Sequence, residues 1–142
     1  MMTYDDPYVL LRIFVLALAV YREAAGEPWP GKLAVAQVIE NRVNDPRWPS
    51  DYRDVILQPW QFSAFNKSDP QVTRFPNAKN DRAWEECVRA AWMVLDDPHD
   101  FANGSNHYLN PETVLKVSGK LPDWATPEAK VLTIGAHDFY KL

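Results

Sequence analysis

Twelve residues from Val9 to Val20 form an apolar run interrupted by a single charge, Arg12. A chain that carries such a run must bury it. The run is too short for a membrane span, which needs about 20 apolar residues, so it reads as a central core helix. Asp6-Pro7 supplies an N-cap and a first-turn proline. The predicted helix runs from Pro7 to about Ala25, apolar on nearly all sides, with Gly26 as its stop. Glu23 lies at the end of this helix, where core meets surface. Partial loss of water at such a place disfavours the charged carboxylate. A carboxyl that stays protonated near neutral pH can act as a general acid.

The remaining pattern supports a mainly α fold. At 142 residues the chain fits one domain, residues 1–142, and can bury roughly 68–70% of the surface exposed when unfolded. A second helix is expected from about Pro30 to Asn44, with Val35, Ile39 and Val43 on one face. A short helix is expected over Asp51–Leu57 and a longer one over about Asp81–Asp96. The core stripe of that longer helix reads as Trp84, Cys87, Val88, Ala91, Trp92 and Leu95. Asn110-Pro111 and Thr126-Pro127 each look like an N-cap followed by a first-turn proline. The last segment, Leu132 to Tyr140, reads as a helix end followed by a short strand.

Composition removes several classes of function. The net charge of −4 argues against a nucleic-acid binder, which carries a basic patch. Cys87 is the only cysteine, so there is no disulfide framework, and its place on an apolar helix face suits a buried thiol. His99, His107 and His137 are scattered, with no zinc-binding spacing. Neither a nucleophile elbow, nor a phosphate loop, nor a dinucleotide fingerprint is present. No cofactor is therefore expected. The acidic N-terminus lacks the features of a secretory signal, so synthesis in the cytoplasm and no stable membrane insertion are expected.

Carboxylates, amides, hydroxyls and aromatic rings remain, and glycosidic cleavage is the chemistry they suit. Three clusters gather them. Glu23 and Glu27 flank a Gly/Pro turn, although either could be a solvated carboxylate or a local cap. Gln58-Pro-Trp-Gln61-Phe62-Ser63 can hold a sugar by stacking and hydrogen bonding, or be a turn anchored by its aromatics. Gly104-Ser-Asn-His107-Tyr108-Leu-Asn110 can face a groove, or serve only to cap the next helix. Six Trp, six Tyr and six Phe serve first as core and could also line a saccharide groove.

These residues resemble the SleB-like, spore-cortex-lytic family of cell wall hydrolases. The resemblance runs through Glu23-Ala-Ala-Gly-Glu-Pro-Trp29, Leu33 to Val43 with Asn41-Arg42-Val43, and Asp45-Pro-Arg-Trp-Pro49. It continues in Val55-Ile-Leu-Gln-Pro-Trp-Gln-Phe-Ser-Ala64, Tyr108-Leu-Asn-Pro111 and Ile134-Gly-Ala-His-Asp-Phe-Tyr-Lys141. Ala25 stands where the family carries Arg, and His107 where it usually carries an aromatic residue.

The resemblance implies a lysozyme-like, mainly α domain with a buried central helix and a very small β element. It places the catalytic glutamate on Glu23 and substrate contacts on Ser63, Gln61, Phe62 and Tyr108, and Glu27 joins these as a substrate-binding candidate. The partner implied is the peptidoglycan glycan strand, cut between N-acetylmuramic acid and N-acetylglucosamine by a monomer. Glu23 would protonate the glycosidic oxygen and then take a proton either from the muramic C6 hydroxyl, as a lytic transglycosylase, or from water, as a muramidase. The lack of an evident second carboxylate favours the first. The rival classes are a non-catalytic wall-binding domain and a zinc peptidase or amidase. A small wall hydrolase without a signal resembles a phage endolysin that reaches the wall after holin-type release.

Overall fold

The computed structural model describes residues 5–58, 76 and 81–142. Among the described residues, five helices and three short strands follow one another: α1 (Pro7–Ala24), α2 (Trp29–Val43), α3 (Tyr52–Ile56), α4 (Arg82–Asp96), β1 (His107–Leu109), α5 (Pro111–Ser118), β2 (Lys130–Ile134) and β3 (His137–Tyr140). The architecture is the mainly α one expected from the sequence.

Local chemistry sets the helix starts. Asp6 accepts a hydrogen bond from Tyr8 N at 2.9 Å, with Pro7 in the first turn. Asp51 caps α3, Asp81 caps α4 through Trp84 N at 3.0 Å, and Asn110 caps α5 through Thr113 N at 3.1 Å. The second carboxylate oxygen of Asp81 takes the Tyr21 hydroxyl at 2.5 Å, so one cap also ties α4 to α1. Gly119 closes α5 at φ +75°, a conformation in which a Cβ would be strained.

The core lies between α1, α2 and α4 and is closed at one end by α3. Leu16, Ala17 and Val20 of α1 meet Val35, Val38 and Ile39 of α2, Val55 and Ile56 of α3, and Cys87, Ala90 and Ala91 of α4. All are 2% exposed or less. Alanines at the crossings let the helices approach closely enough for the branched residues to interlock. Cys87 is buried, as expected. Among the described residues, no helix is long and apolar enough to cross a membrane.

Four expectations need correction. The first two turns of α1 are not enclosed: Tyr8, Leu10, Leu11 and Phe14 are each more than half exposed, because α2 and α4 cover only the face that carries Val9, Ile13 and Leu16. Trp92 is 41% exposed while Ala90 and Val94 are buried, so the inward stripe of α4 is narrower than an apolar count suggested. No helix follows Thr126-Pro127. A single turn closes there, with Thr126 Oγ1 accepting from Ala129 N at 3.2 Å, and the chain then extends. Finally, Leu132–Tyr140 contains no helix end. It is an antiparallel hairpin whose strand β3 lies in the centre of the sheet β1-β3-β2. Gly135, at φ +56°, makes the turn possible.

The packing predicts a clear contrast in stability. Leu16→Ala should cost about 2–5 kcal/mol, read by urea denaturation, whereas Val117→Ala, at a side chain 82% exposed, should stay within about 0.5 kcal/mol.

Candidate active site

Glu23 sits one helical turn beyond Ala19 and two beyond Leu16, both fully buried. The core-facing stripe of α1 thus ends in a carboxylate that is half-buried at the rim of a cleft. That cleft, about 420 Å³, is lined by Arg22, Glu23, Glu27, Asn110, Ala136 and His137, together with the backbone of the turn between α1 and α2. Three segments distant in sequence therefore converge: the α1–α2 turn, the end of β1, and the β2–β3 hairpin.

Tyr108 of β1 donates its hydroxyl to Glu23 Oε2 at 3.3 Å. Burial and the neighbouring Glu23 carboxylate push the phenol well above the usual tyrosine range, against a smaller opposing effect of the Arg42 guanidinium. Tyr108 therefore stays a neutral donor. Its position is set from behind by α2. Arg42 Nε donates to Asn106 O at 2.7 Å, and Asn41 Nδ2 donates to Ser105 O at 2.9 Å and Asp100 Oδ2 at 3.1 Å. The chain entering β1 is thus fastened to the C-terminal turn of α2. Arg42 is 4% exposed, and burial lowers its guanidinium to about 10.

Glu27 lies in the same cleft but faces the hairpin. Its Oε1 accepts from Ala136 N at 3.1 Å and lies 2.6 Å from His137 Nδ1. Its Oε2 fills the space in which a Cβ on Gly135 would stand, 2.7 Å away. Lys32, almost fully buried, holds the Glu27 carbonyl at 2.6 Å and Glu86 Oε2 at 2.8 Å, fixing the start of α2 to α4. Burial pulls His137 below the ordinary histidine value, partly offset by the Glu27 carboxylate. The His137 ring in turn packs edge-on against Tyr108, with centroids 5.2 Å apart at 80°.

Of the residues singled out in the sequence, Glu23, Glu27 and Tyr108 are brought together. Gln61, Phe62 and Ser63 fall outside the described residues. His107 stands beside Trp48 and Trp124, with ring centroids at 5.8 and 4.8 Å. His137, Asn41 and Arg42 were missed as parts of the site. His137 looked like one of three unrelated histidines, and only hairpin pairing brings it to Glu27. Asn41 and Arg42 were visible only as motif letters.

A sequence model described as Cell Wall Hydrolase matches residues 26–140. The chain belongs to that family. Among the relatives of this cell wall hydrolase, the spore cortex-lytic enzyme of Halalkalibacterium halodurans is 37% identical over 127 residues, 89% of this chain and 34% of that protein. The spore cortex-lytic enzyme of Bacillus subtilis is 34% identical over 127 residues, 89% of this chain and 36% of its own length. The chain therefore spans about a third of these curated relatives. The crystal structure of the catalytic domain of the Bacillus cereus SleB protein superposes with a TM-score of 0.72 at 32% identity, over 92% of this chain and 89% of that one. The catalytic domain of the germination-specific lytic transglycosylase SleB from Bacillus anthracis gives 0.70 at 32% identity, over 92% and 93%.

The seat of Glu27 in the hairpin predicts that Gly135→Ala is destabilising by more than about 1 kcal/mol, from the positive φ and the clash with the carboxylate. Gly26→Ala, where a Cβ meets nothing within 4 Å, should stay within about 1 kcal/mol. Thermal unfolding of the two variants side by side checks this.

Proposed function

We propose that this domain cleaves the β-1,4 bond between N-acetylmuramic acid and N-acetylglucosamine in peptidoglycan, as a lytic transglycosylase with Glu23 as its single acid and base. Membership in the cell wall hydrolase family supports the substrate class. The likeness to a catalytic domain described as that of a lytic transglycosylase supports the reaction type. The observation that carries the reading is the placement of Glu23: a half-buried carboxylate at the end of a core helix, open to a cleft and bonded to a neutral phenol.

In the proposed reaction Glu23 gives its proton to the bridging oxygen as the C1–O bond breaks and positive charge builds at C1. The N-acetylglucosamine side leaves as an alcohol. The Glu23 carboxylate then takes the proton of the muramic C6 hydroxyl, whose oxygen bonds to C1 and closes a 1,6-anhydro ring. Tyr108 holds Oε2 of Glu23 by its hydroxyl. The two-carboxylate schemes of hydrolysis need a second acid about 5–9.5 Å away with a free edge. Glu27 shares the cleft, but its Oε1 is already taken up by Ala136 N and the neighbouring His137 Nδ1, which favours the route that uses one carboxylate twice. Ser63, Gln61 and Phe62 remain proposed substrate contacts from the resemblance.

Glu23→Gln keeps the shape of the side chain but cannot donate the proton, so release of muropeptides should fall by about 10² or more. Near-normal release in a folded Glu23→Gln protein would remove Glu23 from the mechanism. Mass spectrometry of the digest decides the second step. Anhydro-muramic ends are expected, and reducing muramic ends would make the enzyme a muramidase.

A further inference from the structure

Glu27 poses a question that the reaction scheme leaves open. A carboxylate within the catalytic cleft, its side chain only 13% exposed, is costly to desolvate unless its oxygens are partnered. Here the partners all come from one structural unit, the β2–β3 hairpin. Ala136 donates its backbone N–H to Oε1, His137 sets Nδ1 2.6 Å from the same oxygen in close contact without hydrogen-bond geometry, and Gly135 yields the space that any side chain would take. The hairpin and the carboxylate fit each other, and a solvated or substrate-facing glutamate needs none of these adjustments.

The consequence appears one contact further on. His137, whose side chain is 10% exposed, places its ring edge on Tyr108 at 5.2 Å. Phe139, two residues along the same strand, completes a triangle of rings, 5.8 Å from the Tyr108 ring and 6.2 Å from that of His137. Backbone pairing sets Tyr108 opposite Phe139. Among the described residues the phenol is supported by its own strand, fixed through Asn41 and Arg42, by the Phe139 ring, and by the His137 ring, which lies against Glu27. The hydroxyl that these supports aim reaches Glu23 at 3.3 Å, close to the limit of a useful hydrogen bond. A small shift of the ring breaks it.

We propose that Glu27 is a positioning residue that acts through His137 and Tyr108 to keep the Tyr108 hydroxyl on the catalytic carboxyl of Glu23. This rests on the reading of Glu23 as the acid. Glu27 itself transfers no proton to or from the sugar, and the role needs an oxygen acceptor at position 27 rather than a negative charge.

Steady-state cleavage of a soluble peptidoglycan tetrasaccharide tests this, with thermal unfolding recorded for every variant. Tyr108→Phe and Glu27→Ala should each lower kcat by about tenfold, the effect of losing one hydrogen bond, with KM little changed. In the Tyr108→Phe background, Glu27→Ala should cause little further loss, because the hydroxyl it positions is already gone. Glu27→Gln, which still offers an oxygen to Ala136 and His137, should recover most of the kcat lost in Glu27→Ala. Where Glu27→Ala does not fold, His137→Phe replaces it in the same cycle, since it keeps a ring beside Tyr108 but lets go of Glu27.

Multiplicative losses in the double variant would overturn the proposal. So would a Glu27→Gln protein as inactive as Glu27→Ala, which would make Glu27 a second acid or base in the chemistry. Either result together with an inactive Glu23→Gln protein refutes the positioning role alone, whereas an active Glu23→Gln protein refutes the underlying reading of the acid.

Discussion

The arrangement depends on a helix that belongs to the core along one stripe and ends in a carboxylate. Ala17, Val20 and Leu16 anchor α1 between α2 and α4 so firmly that the position of Glu23 is fixed by packing, with little freedom for the backbone beneath it. A carboxyl presented from a loop would pay for its placement in conformational entropy each time it reacted. Set at the end of a buried helix, it spends that cost once, on folding. The same packing removes water from one side of the group and leaves the other open to a cleft of about 420 Å³, an asymmetry that would suit the acid role proposed for Glu23.

What the helix cannot supply is a donor to hold the carboxyl in one orientation. Among the described residues Tyr108, 85 residues further along the chain, is such a donor, and the small sheet carries it there. Its three strands are too short to stand alone. They are held by polar contacts to the helices: Arg42 and Asn41 to the chain before β1, and Glu27 to the hairpin. Each of these uses a buried or half-buried charged or amide group whose loss would leave a partner unsatisfied, so they constrain geometry more than they add to stability.

The helices were legible in the sequence because their signals are local. Asp6-Pro7 and Asn110-Pro111 announce helix starts within two residues, and the spacing of Val35 and Ile39 declares a buried face within one turn. The errors share one cause. The exposed start of α1, the outward Trp92 and the final hairpin all depend on which neighbour arrives, and hydrophobicity along a chain does not record the neighbour. Gly135-Ala136 contains no strong hairpin dipeptide, so nothing nearby marked the turn. Glu23 stood out twice over, by position and by resemblance, and the structure sets it at the rim of the cleft. His137 did not stand out, because the signal that gives it a partner is the pairing of β2 with β3.

The two departures from the family pattern can now be weighed in physical terms. Ala25 removes a cation from the turn between the two glutamates; it packs partly buried against the core, and the nearby Glu27 Oε1 takes the Ala136 N–H with His137 Nδ1 beside it. His107 replaces a ring by another ring. Burial, with Arg42 and Arg47 close by, lowers it to about 4, so at neutral pH it carries no charge. Its Nδ1 lies 2.8 Å from Asn106 Oδ1, and its ring stands 4.8 Å from Trp124. A neutral, flat heterocycle wedged among tryptophans does the packing work of the aromatic residue it replaces. It adds one polar anchor, to the same Asn106 whose carbonyl Arg42 holds. Both changes leave the Tyr108 hydroxyl on Glu23 Oε2 in place.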